Sequence, residues 1–160
     1  MILAREAREN SKGLSTTAMD EEQSKLVLTR LAEAARTVAQ HSYSPYSKFR
    51  VGSALLLSNG ETVTGTNVEN TSYGLTICAE RAAIFRAVAQ FGPEIRVAAA
   101  AVVNLNGSAS PPCGACRQVL AEFMDADAPI SFPADAAGML VTFTGTLQEL
   151  LPYATDLRLT

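Results

Sequence analysis

The order of elements legible in the chain predicts an α/β fold of three layers, α/β/α, with a mixed, about five-stranded sheet between helices. Three observations carry that expectation. Helical and strand-like hydrophobic patterns follow one another as helix, hairpin, helix, strand, helix, strand, strand. The run from Ile95 to Val103 is almost continuously apolar, as in a strand covered on both faces. Ser58-Asn59-Gly60, between two strand-like runs, is the chemistry of a tight turn. The order of strands within the sheet does not follow from these patterns.

Taken in order, Leu26, Leu28, Leu31, Ala34, Ala35, Val38 and Ala39 recur mostly at three- and four-residue steps, predicting an amphipathic helix over Glu22 to Gln40. Pro45 bars helix in the residue before it. Phe49 to Leu57 and Thr62 to Val68 read as the two strands of a hairpin. Ala82 to Phe91 gives a second helix, closed by Gly92-Pro93. After the Ile95–Val103 strand, the rigid Ser110-Pro111-Pro112 loop leads into a third helix that buries Val119, Leu120, Phe123 and Met124. Two short strands, Ile130 to Phe132 and Met139 to Phe143, and a turn of helix near Gln148 to Leu151 complete the chain.

The chain has 160 residues, 48% of them hydrophobic and 18% charged, with a net charge of −3. That is the composition and length of one globular domain, expected over residues 21–160. Residues 1–20 are polar and mixed in charge, and are expected to be a flexible extension. They have neither the apolar core of a secretory signal nor the acid-poor composition of a transit peptide. A cytoplasmic setting and reduced thiols are therefore expected. The acidic balance argues against a nucleic-acid polymer as partner, since that affinity comes from lysines and arginines displacing counterions. No apolar run reaches the ~20 residues needed to cross a bilayer, so no membrane partner is expected either.

Three cysteines, Cys78, Cys113 and Cys116, are all the chain has, and an odd count argues against a disulfide framework. All three lie at predicted helix starts, where free N–H groups and the helix dipole favour the thiolate that binds metal. Three thiolates and one open position is the pattern of a catalytic Zn²⁺, whereas a structural zinc is closed by four protein ligands. Other readings are available to each residue alone. Cys113-Gly114-Ala115-Cys116 resembles a redox C-x-x-C, and a free cysteine is often simply buried core. The only histidine, His41, stands far away in sequence and reads as a surface residue. The combination favours a metal. Glu80, two residues beyond Cys78, is placed to accept a proton from the water that zinc acidifies and to return it to a substrate nitrogen. Its alternative use, helix-dipole stabilisation of ~0.3–1 kcal/mol, leaves the cysteines unexplained. Three thiolates leave the metal with an excess of about one negative charge. Arg81, and less strongly Arg117, are candidates to offset it by donating to sulfur.

The chain carries C-A-E and P-C-G-A-C in the order of the zinc deaminases. S-P-Y-S-K-F-R-V-G-S-A-L, N-V-E-N, Y-G-L-T-I-C-A-E-R-A-A-I and P-C-G-A-C-R-Q-V-L together resemble the free-nucleoside cytidine deaminases of the three-cysteine, homotetrameric type, from about Tyr43 to Leu151. The resemblance implies one Zn²⁺ per subunit on Cys78, Cys113 and Cys116, and Glu80 as proton shuttle. It implies hydrolysis of cytidine and 2′-deoxycytidine to uridine and 2′-deoxyuridine, in pyrimidine salvage. Phe49 would pack on the base and the Ala79 amide would reach its carbonyl. Asn67 and Glu69 would bind the ribose 3′-hydroxyl, and Tyr73 would reach the sugar from a neighbouring subunit. One departure stands out: Thr155 occupies the place of the aromatic that follows L-L-P in relatives, which leaves the wall of the base pocket open. A deaminase of a modified cytosine nucleoside, such as a blasticidin-type antibiotic, is the second reading. A polynucleotide deaminase is the third, and a non-catalytic, zinc-stabilised binding module is the reading of another class.

Overall fold

The structure, a computed structural model, describes residues 19–136 and 139–154. Thr155 and residues 1–18 of the expected extension lie outside them. The described residues open with helix α1, Glu21–Ala39, started by Asp20, whose carboxylate accepts the Gln23 N–H at 2.8 Å. Loss of such a cap costs about 0.5–2 kcal/mol. Leu28, Leu31, Ala35 and Ala39 form its buried stripe.

Strand β1, Val51–Leu57, pairs antiparallel with both β2, Thr62–Thr66, and β3, Val97–Asn104. The β1–β2 turn uses Gly60 at φ +88°, a conformation that favours glycine. Helix α2, Ala79–Phe91, lies between β2 and β3 in sequence, preceded by a 3-10 turn at Tyr73–Leu75. Helix α3, Gly114–Phe123, is the crossover that makes β3 and β4, Pro129–Ala136, parallel. Strand β5, Met139–Thr146, closes the sheet antiparallel to β4, and α4, Leu147–Leu150, follows it. The order β2-β1-β3-β4-β5 gives the mixed five-stranded sheet that the element order predicts.

Alternation along the strands sorts the core into two layers. On one face Leu28, Leu31 and Ala35 of α1 meet Ala54, Ala99, Ala101 and Val103. On the other, Ile84 and Ala87 of α2 and Leu120 of α3 meet Leu55, Val102, Ile130 and Phe132. Much of this contact is made by alanine: Ala35, Ala54, Ala83, Ala87, Ala99 and Ala101 are fully buried. Two glycines bring helix and sheet closer still. A Cβ on Gly52 would stand 2.9 Å from the Ala39 nitrogen of α1, and one on Gly65 would stand 2.6 Å from the Ala79 oxygen of α2.

Several boundaries differ from the sequence pattern, among them a fifth strand that runs on to Thr146 and a second helix that starts at Ala79, and three have a visible cause. The first strand starts at Val51 rather than Phe49, because both backbone groups of Phe49 and the Arg50 N–H are bonded by side chains instead of a ladder. The second ends at Thr66 rather than Val68, which leaves to bridge Tyr43 and Ile77. The fourth runs on to Ala136: beyond Ser131 it pairs with β5 alone, and Pro133 is accommodated there.

Candidate active site

Cys78 is the N-cap of α2 and Cys113 the N-cap of α3, both in extended backbone, and neither sulfur caps its helix. Cys116 follows in the first turn of α3 and is fully buried. The three sulfurs lie within 4.8 Å of one another, with Cys78 to Cys113 at 4.0 Å and Cys113 to Cys116 at 3.4 Å. Tetrahedral thiolates with Zn–S bonds of ~2.3 Å stand about 3.8 Å apart. The sulfurs therefore fit zinc as they stand, and the donor set is the soft one that zinc selects. Arg81 sits one turn into α2 and donates to Cys78 Sγ at 3.6 Å and to the Thr76 carbonyl at 3.3 Å, while its Nε is buried without a partner.

The electrostatics of the site follow from crowding. Hydrogen bonding from the Cys116 thiol, helped by Arg81 and Cys113, overcomes burial and holds the Cys78 thiol down at about 5. Cys116 moves the other way, its proton held by Cys78 and its burial and the nearby Glu80 charge disfavouring the thiolate. Arg81 is raised, chiefly by its bond to Cys78. Burial lifts the Glu80 carboxyl to about 7. Glu80 is 5% exposed, on the same helix start as Cys78. Ala79, also buried, is the first residue of α2, so its N–H is among those with no intrahelical acceptor.

A second wall is laced to the first by backbone. Val68 exchanges both hydrogen bonds with Ile77, at 2.9 and 3.0 Å, next to Cys78. It also lies opposite Tyr43 in a parallel bridge, in which Tyr43 N–H donates to the Asn67 carbonyl and Glu69 N–H to the Tyr43 carbonyl. Asn67 and Glu69 flank Val68 and are 8% and 7% exposed. The Asn67 Oδ1 accepts from the Ser42 hydroxyl at 2.5 Å and the Val51 N–H at 2.9 Å, and its Nδ2 donates to the Phe49 carbonyl at 2.8 Å. The Glu69 carboxylate accepts from Tyr46 N–H, Ser47 N–H and the Ser47 hydroxyl. Phe49 is half-buried at the edge of this wall, and Tyr73 is 76% exposed on the turn before α2.

Arg117 departs from expectation. Its guanidinium donates to the Pro112 carbonyl at 2.7 Å and the Leu150 carbonyl at 3.0 Å rather than to sulfur. It thereby ties the loop ahead of Cys113 to the end of α4. The pattern of cysteines pointed to no role for Ser47, Ser42 or Asn106; their bonds reach across long sequence separations and leave no local signal.

Residues 27–131 match the family model of the cytidine and deoxycytidylate deaminase zinc-binding region. The chain is 46% identical to the cytidine deaminase of Halalkalibacterium halodurans over 113 residues, 71% of this chain and 82% of that one. Its fold is similar to the crystal structure of cytidine deaminase from Mycobacterium tuberculosis, with a TM-score of 0.67 and 41% identity over 81% of this chain and 97% of that one. It matches the cytidine deaminase of Burkholderia pseudomallei equally well in fold, at 0.67, with 39% identity over 79% and 98% of the two chains. With three thiols gathered at two helix starts and a buried glutamate beside them, the chain belongs to the zinc-binding cytidine and deoxycytidylate deaminase family.

Proposed function

We propose that the protein deaminates cytidine and 2′-deoxycytidine to uridine and 2′-deoxyuridine with release of ammonia, as a cytoplasmic enzyme of pyrimidine salvage. The observation that carries this reading is the cluster of three sulfurs at the starts of α2 and α3 with buried Glu80 two residues beyond Cys78. Relatives named cytidine deaminase favour the unmodified nucleoside over an antibiotic analogue. A binding module without catalysis would leave the buried carboxylate of Glu80 without a use.

Cys78, Cys113 and Cys116 would hold Zn²⁺, which when bound makes water acidic enough to ionise near neutral pH. Arg81 offsets the excess negative charge of three thiolates. Glu80 takes a proton from the attacking water and delivers it to the base, so that water adds at C4 and the exocyclic nitrogen leaves as ammonia. The Ala79 N–H is offered to the base carbonyl, and the ring of Phe49 forms the wall against the base. Asn67 keeps one Nδ2 hydrogen and Glu69 keeps carboxylate lone pairs beyond their internal bonds, and these would take the ribose 3′-hydroxyl. Residues 21–160 act as one deaminase domain in this reading. The exposed ring of Tyr73 supports a homotetramer in which it reaches the sugar in a neighbouring subunit.

Exchange of Glu80 for Gln tests the assignment. The E80Q protein should retain one zinc per chain, measured by elemental analysis, while cytidine turnover falls by about 100- to 10,000-fold. Turnover equal to wild type with zinc retained would overturn the role of Glu80.

A further inference from the structure

Lys48 to Val51 leads into β1, and three of its four residues precede the strand, yet every backbone N–H and C=O in it is bonded. Lys48 N–H donates to the Ser44 carbonyl, and the Lys48 carbonyl accepts from Asn106 Nδ2 at 3.0 Å. Phe49 N–H donates to Ser47 Oγ at 2.9 Å, and its carbonyl accepts from Asn67 Nδ2. Arg50 N–H donates to Asn106 Oδ1 at 2.9 Å, and its carbonyl accepts from Leu105 N–H. Val51 N–H goes to Asn67 Oδ1, and its carbonyl accepts from Asn67 N–H and Thr66 Oγ1. Lys48 meanwhile adopts φ +60°, the left-handed conformation that residues with a side chain avoid. Such a conformation persists where the surroundings over-determine it, and it clusters at functional sites.

We infer that Asn106 is a positioning residue for Phe49. Its amide brackets Phe49, donating to the carbonyl of the peptide unit before it and accepting from the N–H of the peptide unit after it. Pinning both flanking peptide planes fixes φ and ψ of Phe49 and hence the direction of its Cα–Cβ bond. Asn106 comes from the loop after β3, some 56 positions along the chain from Arg50. It is itself held by buried Asn104, whose Oδ1 accepts the Asn106 N–H at 2.9 Å. Asn104 Nδ2 in turn donates to Ser110 Oγ at 2.8 Å, three residues before Cys113. One buried asparagine thus steadies both the clamp on Phe49 and the approach to the metal ligands. The inference rests on the proposed function in one respect: Phe49 is the wall against the base.

The test is a double-mutant cycle of N106A and F49A, assayed on cytidine with the zinc-loaded full chain. N106A removes both bonds of the clamp and should raise KM about tenfold (about 1.4 kcal/mol), with kcat and zinc content changing less. Combined with F49A it should add nothing, because its effect runs through the Phe49 ring; additive losses would overturn the inference. Amide exchange supplies a readout independent of turnover. The Arg50 N–H should exchange faster in N106A than in wild type, and an unchanged rate would overturn the clamp. Should N106A fail to fold, N106D keeps the acceptor toward Arg50 and sets an acceptor against the Lys48 carbonyl. It should raise KM while leaving exchange at Arg50 slow, and an unaltered KM would count against the bracket. A wild-type protein silent on cytidine would overturn the proposed function alone. The clamp would then be decided by Arg50 exchange and by the Phe49 ring resonances, which N106A should broaden and which unchanged would refute it.

Discussion

Ser47 has its hydroxyl between Glu69, to which it donates, and the Phe49 N–H, from which it accepts. The bond to Glu69 is the largest influence holding that carboxyl below its ordinary value of 4.5, with the Tyr46 and Ser47 N–H groups and the Lys48 charge adding to it and burial opposing. A depressed carboxylate contributes stability that is fully present above its unfolded pKa and lost as pH falls through its lower folded value. Wild type should therefore melt at higher temperature than E69Q at pH 7, with the gap closing as pH falls below about 4.5. Thermal scans of both proteins between pH 7 and pH 3 would check this; a gap that widened in acid would refute it. The cysteines and Glu80 were legible because scarce, reactive residue types stand at fixed short spacings. Ser47, Asn106 and the true partners of Arg117 were not, since a serine bonding a distant carboxylate, or an asparagine or arginine bonding distant backbone, reads the same as one in solvent.

Helix α2 owes its seat to what is missing from β2. A Cβ on Gly65 would press on the Ala79 oxygen at 2.6 Å and the Ala83 Cα at 2.8 Å, both backbone, so the helix start that carries Cys78 and Glu80 would have to lift. G65A should cost about 1–3 kcal/mol, read as a Tm fall of about 2–4 °C for each kcal/mol, and should weaken zinc retention. G74A, where an added Cβ meets nothing within 4 Å, is the control and should melt close to wild type. Loss in neither would mean that α2 is not held by this contact. All nine predicted helices and strands are present, because their hydrophobic periods are long enough to be distinct. Their ends were harder to place wherever side chains take over from the ladder, as at Phe49 and Val68, or where Pro133 interrupts an apolar run.

The whole molecule places both ligand-bearing helix starts on one side of its sheet and leaves apolar side chains beside them in solvent. Tyr73, Leu75 and Phe85, on or just before α2, are 76%, 65% and 51% exposed. Among the described residues no helix is long and apolar enough to cross a membrane. The proposed tetramer accounts for this exposure. Size-exclusion with light scattering should give four times 16.9 kDa, and Y73A should lose turnover with zinc content unchanged. A monomer of full activity would remove the cross-subunit role of Tyr73. The layer structure was legible from element order, whereas the strand order was not, because it depends on which edges find partners rather than on any local pattern. The alanine packing between the layers has a further consequence for how this chain can vary. A core of large side chains is damaged mainly by truncation, which opens cavities. Here Ala54, Ala99 and Ala101 have almost nothing to truncate, and any larger residue at them would press α1 away from the sheet. The face of the sheet toward α1 is therefore closed to bulk, whereas the opposite face, with Leu55, Val102 and Ile130, is the one that truncation would damage.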